Sequence, residues 1–383
     1  MKKYGIIGGG GRAQGLIPII NKFDLGVKLT CITDPNPEYV KNVARFYNNN
    51  FDDVKMYADA KQMLENEKLD GVMISTRCSL HTELALLALS YDLPIYLEKP
   101  IATNEADLAR LKRVVDKYDK RVVVSFPLRL TAPVQYAKEI IDSGRIGTVE
   151  HVQAVNNVTY GGVYYHNWYR DEQETGGLFL QKATHDIDYI NYLLGYKATS
   201  VCAVNSKQIF KGNKPAGVKC VDCAERLTCS ESDFTMKHIK YDDVVGDYCC
   251  FSTDVGNEDS GSVIIHYDTG MHAVYSQSFY VRQGAGKRGA RLIGYKGTIE
   301  FDWITDTMKV FMHDQPRTET IEFDTTKMSH GGGDDKLALN FINLMMGIED
   351  SKSTLRDGIN SVEICLAAKK SAQTRTFRDV NII

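Results

Sequence analysis

From Lys3 to about Ser125 the sequence alternates short apolar runs with helix-like segments, and this alternation restricts the possible fold more than any other feature. YGIIG, VKLTCITD, DGVMIST, PIYLEKP and RVVVSF have strand character. Between them, Gln14 to Lys22, Pro37 to Tyr47, Asp59 to Glu67, Leu80 to Tyr91 and Asn104 to Tyr118 read as helices. Strands alternating with helices specify a parallel sheet covered on both faces, and such strands are continuously apolar. Residues 1–125 are therefore expected to form a doubly wound α/β domain.

After Phe126 the texture changes. A helix from Pro133 to Ser143 is followed by strand-like segments: TVEHVQAVNNV, TSVCAVNSK, DYCCFSTDV, GSVIIHYDT, HAVYSQSFYV, ARLIGYKGTIEFD and MKVFMHD. These predict one large, open, mostly antiparallel sheet, with helices at Thr184 to Leu194, Asp334 to Gly347 and Asp357 to Thr374. Ser206 to Gly246 reads as a loop-rich insertion. The 383 residues suit two domains, 1–125 and 126–383.

Bulk properties exclude several classes. The apolar fraction is 43%, the charged fraction 25% and the net charge −3, without a basic excess for nucleic acid or a block of like charge. No window approaches the ~18 uninterrupted apolar residues of a membrane span. The amino end runs straight into a strand without a secretory h-region, so a cytoplasmic location is expected.

The run GIIGGGGRAQG gives the first functional signal. Gly8, Gly10 and Ala13 supply G-x-G-x-x-A spacing directly after a strand. The first glycine permits the tight turn, the second lets backbone approach a pyrophosphate, and the third position must be small for packing. Gly9 and Gly11 add permissive positions. Arg12 is a candidate partner for a phosphate oxygen, and N–H groups at the helix start face anions. Asp34 ends the second strand, where a carboxylate accepts hydrogen bonds from ribose hydroxyls. That carboxylate would repel a 2′-phosphate, so NAD is expected rather than NADP.

Glu98-Lys99-Pro100 ends the fourth predicted strand, which directs Lys99 into the crevice beyond the strand ends, where ligands bind. A lysine there is charged or neutral according to its burial, which suits proton transfer. With the glycine run, TDPNPE, ISTRCSLHTELALLAL, YLEKPIA, FPLRLTAPVQYAKEIIDSGRIGTVEHV, NWYRD, TGGLFLQKATHDIDYINYLLG and HGGGD…DGINSVEICLAAKKSAQ, the chain resembles the Gfo/Idh/MocA oxidoreductases over nearly its whole length. The resemblance implies a Rossmann domain, a C-terminal α/β domain whose open sheet often forms a subunit interface, and redox chemistry on a sugar, cyclitol or glycoside hydroxyl. It matches Lys99 to the catalytic lysine, His185 to the histidine of a second motif and Asp188 to a later aspartate of that helix. Thr76, Arg77, His81, Glu98 and Lys99 fall among its cofactor contacts, although many relatives have proline at the position of Arg77. Trp168 and Arg170 resemble a segment near the nicotinamide, and Arg129 is a substrate or a structural arginine. Gln181, Lys182 and His185 have the spacing of one helix face. Many relatives carry aspartate where Gln181 stands, so the proton acceptor is left between Lys99 and His185. Lys182 joins the substrate candidates, with a first-turn surface lysine as the plainer expectation.

CVDCAERLTC has C-x2-C-x5-C spacing. Cys220 and Cys223 suit a zinc chelate with Cys229 as a third ligand, but a fourth must come from His238, Cys249, Cys250 or a neighbouring subunit. Free thiols in a loop that shapes the pocket are the favoured reading, with no metal. Cys31, Cys78, Cys202 and Cys365 read as small reduced hydrophobes. His330, before Gly331-Gly332-Gly333-Asp334, is a substrate contact or part of a structural loop, and His266 and His272 read as sheet residues.

The leading expectation is an NAD-dependent dehydrogenase acting on a carbohydrate or polyol. The second is a redox-neutral glycoside hydrolase or lyase that oxidises, eliminates and reduces again with retained NAD. The third is a non-catalytic dinucleotide sensor, which Lys99 and His185 together disfavour. Specificity is expected in the loops of residues 156–182, 206–246 and 280–290. A homodimer or homotetramer is expected through the C-terminal sheet, with no nucleic-acid or membrane partner.

Overall fold

In the computed structural model, residues 1–238, 246–325 and 328–383 are described, without the side chain of His238. The first sheet contains β1 (Lys2–Ile7), β2 (Val27–Thr33), β3 (Lys55–Tyr57), β4 (Gly71–Ile74), β5 (Ile95–Leu97) and β6 (Val122–Val124). All pairings are parallel, in the order β3-β2-β1-β4-β5-β6. The direction of winding reverses between β1 and β4, which opens a crevice at the carboxyl ends of these strands. Every residue of β4, β5 and β6 is buried, so their unbroken apolar character follows from cover on both faces.

The second sheet contains β7 (Val149–Asn157), β8 (Ala198–Ser206), β9 (Ser260–Tyr267), β10 (His272–Ser278), β11 (Lys287–Gly294), β12 (Gly297–Asp302), β13 (Thr307–Met312), β14 (Thr318–Glu322) and β15 (Arg378–Asp379). Its order is β14-β13-β12-β11-β7-β10-β9-β8-β15, with only β7 and β10 parallel. Alternate residues of the central strands are buried, leaving a second face uncovered in the single chain.

DYCCFSTDV, read as a strand, is instead irregular and makes only isolated bridges, Lys219 with Tyr248 and Lys214 with Ser252. Its apolar residues are used in packing: Cys250 and Val255 are buried with Tyr165 and Phe210. The sequence reading also missed β3, β14 and β15, which lie at sheet edges and carry little apolar signal.

A division of the chain at residue 125 does not divide the packing. The helix Gly333–Met346 returns to the first sheet and buries Leu337, Phe341 and Met345 against Tyr4, Ile6, Met73 and Tyr96. Phe341 meets the Tyr96 ring edge-on at 5.9 Å. The helix Leu355–Thr374 bridges both sheets: its core residues share one cluster with Val124 and with Val201 and Ile265.

Arg129, a substrate candidate in the sequence, is a structural tie. It is buried, donates from Nε to Asp188 at 2.9 Å and from Nη1 to Asp357 at 2.8 Å, and pairs with Asp188 through Nη2 as well. It thereby joins the helix Thr184–Leu194 to the start of Leu355–Thr374. Removing one partner of such a buried pair strands the other charge. R129M is expected to lower unfolding free energy in urea by about 3 kcal/mol or more, and R129M/D188L to recover most of it. Equal stability of R129M and wild type would show that the pair holds nothing.

Candidate active site

The turn after β1 has the geometry of a dinucleotide cradle. Gly8 has φ +91, and a Cβ there would lie 2.5 Å from the Ser75 carbonyl oxygen, so backbone geometry and sterics both require glycine. A Cβ on Gly10 would meet nothing within 4 Å, which leaves its backbone open to an incoming group. Gly10 precedes the helix Gly11–Asn21, whose first N–H groups have no side-chain cap. Asp34, at the end of β2, is oriented by the N–H groups of Gly9 at 3.0 Å and Asn36 at 2.9 Å. Buried Ala13 completes the close packing of helix on sheet. Turn, open backbone and carboxylate together fit a dinucleotide.

Arg12 departs from its expected phosphate role. Its Nε donates to Glu98 at 2.7 Å, Nη1 to Asp334 at 2.9 Å, and Nη2 to Asp334 at 2.6 Å and Ser125 at 3.0 Å. The guanidinium is therefore saturated by protein, and it ties the first helix to β5 and to Gly333–Met346. Burial opposes ionisation of Asp334, but Arg12 and His330 hold its carboxyl far below the usual range. Glu98, expected at the cofactor, likewise gives an oxygen to Arg12.

His81 is buried, with Nδ1 2.8 Å from the Pro100 carbonyl and Nε2 3.3 Å from that of Thr76. It braces two loops rather than facing a ligand. Arg77, on the rim, lies 3.9 Å over the Trp168 ring, and Trp168 stacks on Tyr169 at 3.9 Å. The Thr76 hydroxyl donates to the Arg77 carbonyl. Arg170, expected near substrate, is buried beneath this stack and donates to Ser252 and Asp254, so it anchors the insertion.

Lys99 reaches from the end of β5 to the second half of the chain. Its Nζ donates to the Gln181 carbonyl at 2.6 Å and to the Gln181 side-chain oxygen at 3.1 Å. Burial, with a smaller contribution from the Lys182 charge, pushes the Lys99 ammonium down to about 8. Gln181 belongs to Phe179–Ala183, a π-helical turn that runs into the helix Thr184–Leu194. The π turn overturns the expectation of a surface Lys182: this side chain is buried and its Nζ meets the Tyr160 hydroxyl. Burial and the nearby Arg288 charge lower its ammonium well below the usual lysine value.

His185 follows one turn later and is also buried. Burial first, then the charges of Lys99 and Arg288, lower its imidazolium well below the ordinary histidine value, so the ring is neutral at pH 7. Its Nδ1 has no hydrogen-bond partner among the described residues. The His330 ring lies 6.3 Å away, with its Nδ1 2.7 Å from Asp334. His330 borders a cleft of about 460 Å³, also lined by Asn156, Tyr160, Arg288 and Trp303.

Sequence reasoning missed the support beneath this cleft. Asp186 is fully buried and accepts from Arg288 at 2.9 and 3.1 Å, Asn156 at 2.8 Å and Tyr275 at 3.0 Å. Its place beside His185 was the available signal. Its partners lie on β7, β10 and β11, which nothing local in sequence brings together.

The two glycines separate stability from binding. G8A is expected to destabilise the fold by about 2 kcal/mol, read as a lower thermal midpoint. G10A is expected to leave that midpoint unchanged and to weaken NADH binding at least ~10-fold in a fluorescence titration, equivalent to ~1.4 kcal/mol. Unchanged affinity in G10A would remove this turn from the cofactor site.

Two family models match the chain: the NAD-binding Rossmann fold of the oxidoreductase family over residues 2–126, and its C-terminal alpha/beta domain over residues 138–382. The Bacillus subtilis protein YteT, an oxidoreductase by name, is 24% identical over 368 residues, covering 84% of this chain and 83% of its own. The scyllo-inositol 2-dehydrogenase (NAD(+)) of the same organism is 28% identical over 184 residues, 46% of this chain and 49% of that protein. Levoglucosan dehydrogenase, in complex with NADH and levoglucosan, superposes with a TM-score of 0.77 at 20% identity over the full length of both chains, a likeness of fold. Both halves of the chain thus carry the family's sequence signature, and the chain belongs to the Gfo/Idh/MocA family of NAD-binding oxidoreductases.

Proposed function

We propose that this protein oxidises a secondary hydroxyl of a sugar or cyclitol with NAD, using Lys99 as the proton acceptor. One observation carries the reading: the half-buried Lys99 amine is held at the crevice against a neutral amide rather than a carboxylate. Burial outweighs the opposing influence of Cys78 and Glu98, so the free amine is accessible near neutral pH. Bound NAD supplies the hydride acceptor. The substrate hydroxyl proton passes to Lys99 Nζ, and the resulting ammonium faces the developing oxyanion. Neutral His185 serves as a hydrogen-bond partner for that hydroxyl and fixes its orientation. Lys182, bonded to Tyr160, provides a second polar edge toward the cleft. The inositol and levoglucosan dehydrogenases among the similar proteins support a polyhydroxylated ring as substrate.

The Lys182–Tyr160 pair also favours a second reading. A transient ketone acidifies the adjacent C–H, and elimination of an aglycone then needs another base, which this buried pair offers. Nitrophenyl glycosides incubated with the purified protein distinguish the two: nitrophenol release without net NADH supports elimination. We further propose that a second copy covers the open face of the large sheet, which light scattering would report as a dimer or tetramer.

A screen of sugars, inositols and glycosides for NADH formation tests the main reading. On the best substrate, K99M is expected to lose at least ~100-fold in turnover while still binding NADH. Oxidation needs the neutral amine, so kcat/KM should rise with pH through a limb near the Lys99 value of about 8. In Q181D, a carboxylate beside Nζ stabilises the ammonium and should move that limb up by about one unit. An unchanged limb in Q181D, or full turnover in K99M, removes Lys99 as the base.

A further inference from the structure

The insertion between β8 and β9 contains a cavity that neither the redox site nor the family assignment accounts for. Cys220, Cys223 and Cys229 lie on its wall, and the irregular segment after residue 246 brings Cys249 and Cys250 to the same wall. Five of the nine cysteines of the chain therefore face one enclosed space of about 20 Å³, room for a single water-sized body. That volume suits an ion and is too small for an organic ligand. Candidate partners for the C-x2-C-x5-C cysteines thus lie within the chain.

The backbone arranges these residues as a clasp. Lys219 and Tyr248 form an antiparallel bridge, the Cys220 N–H donates to Asp247 at 2.7 Å, and the Cys249 N–H donates to Val218 at 2.9 Å. The short turn Cys220–Asp222 closes with the Cys223 N–H on the Cys220 carbonyl at 3.1 Å, the compact loop that lets a C-x2-C pair chelate. Cys229 ends a further turn, its N–H on the Glu225 carbonyl at 2.8 Å.

A second observation marks the cavity as built for an occupant. His166 is buried on its wall, and its Nδ1 lies 2.6 Å from the Tyr248 carbonyl, which fixes the lone pair on Nε2. That Nε2 is buried without a hydrogen-bond partner among the described residues. It lies 4.0 Å from a Glu231 oxygen, and ligating atoms of His166, Glu231 and Cys250 are all within 4.8 Å of one another. Buried polar atoms are rarely left unmatched, and clustered thiols with a free imidazole lone pair match a thiophilic cation.

We infer that this cavity holds one structural zinc ion through His166 Nε2, Cys250 and Glu231, whose ligating atoms lie within 4.8 Å of one another, with a fourth ligand from the facing thiols of Cys220, Cys223, Cys229 or Cys249. Cys250 also packs with Val158, Tyr165 and Phe210. Binding replaces the S–H protons of Cys250 and of the fourth, facing cysteine by one Zn²⁺ with no change of oxidation state, and the protons leave to solvent. The ion joins the insertion to the segment that carries Trp168, through the Tyr248 N–H on the His166 carbonyl at 3.2 Å.

Elemental analysis of the full chain, expressed with zinc, tests this. About one zinc per chain is expected, and cobalt exchanged into the site should show an intense thiolate-to-metal absorption. H166Q and C250S should each lose at least ~10-fold in zinc retained after dialysis against a chelator, and one of C220S, C223S, C229S and C249S should lose it as well. Circular dichroism and NADH binding identify variants that stay folded. Wild-type protein with under a tenth of a zinc per chain and nine titratable thiols would overturn the site, as would iron with sulfide, or disulfides among these cysteines. Zinc kept in both H166Q and C250S would overturn the ligand set.

Discussion

The proposed redox site depends on drawing one lysine partly out of water. Lys99 projects from the first sheet, yet both of its hydrogen bonds go to Gln181, on the far side of the crevice. A charged amine desolvated against amide oxygens alone is destabilised relative to its neutral form, and its proton affinity falls toward the working range. The π turn Phe179–Ala183 creates this environment: it presents the carbonyl of Gln181 to Lys99 and buries Lys182. Such turns persist where surrounding packing compensates for their poorer backbone geometry. Here the compensation comes from full burial between the two sheets, with Phe179 and Leu180 in the main core.

The parts of the molecule legible in the sequence are those governed by local rules. The parallel sheet follows from its apolar strand runs, and the Gly8 turn follows from a glycine that no other residue replaces at that φ. Arg12 was misread because its partners lie 86 and 322 residues away, and no local pattern announces a pairing across that distance. Lys182 was misread because α-helical phase was assumed through residues that form a wider turn, which changes the side chain's direction. The boundary at 125 followed composition, whereas Gly333–Met346 returns to the first sheet because that face would otherwise expose Tyr4, Ile6 and Tyr96. Arg129 and Arg170 illustrate one ambiguity: a conspicuous arginine near a motif serves a ligand or a buried carboxylate, and the sequence does not distinguish them. Both belong to carboxylates.

These arginines show how the crevice keeps its shape. Arg12 joins first helix, β5 and Gly333–Met346; Arg129 joins two helices of the second unit; Arg288 joins β11 to the helix bearing His185. Each holds a carboxylate that is almost wholly buried, so loss of one partner is costly and the arrangement is strongly specified. Planar, multidentate guanidinium groups suit this role because one side chain fixes the angle between elements as well as their separation. The cleft is thus lined by side chains whose supports are already saturated.

Saturation of the arginines also decides how charge is distributed at the reacting atoms. Arg288 is neutralised by Asp186 but still disfavours the charged forms of His185 and Lys182. Burial is the larger cause at both groups, and a cationic surrounding adds to it. A neutral imidazole beside a partly neutral amine can order a substrate hydroxyl without competing for its proton. In the proposed reaction, a proton on Lys99 and the fixed guanidinium of Arg288 would leave the site more positive while the substrate oxygen gains negative charge. No carboxylate stands at position 181 to cancel that gain. A glutamine in place of the aspartate common among relatives therefore changes more than hydrogen bonding. In the proposed reaction it would leave the positive charge of the protonated lysine available to the transition state, in a half-buried position where water screens it less than in bulk.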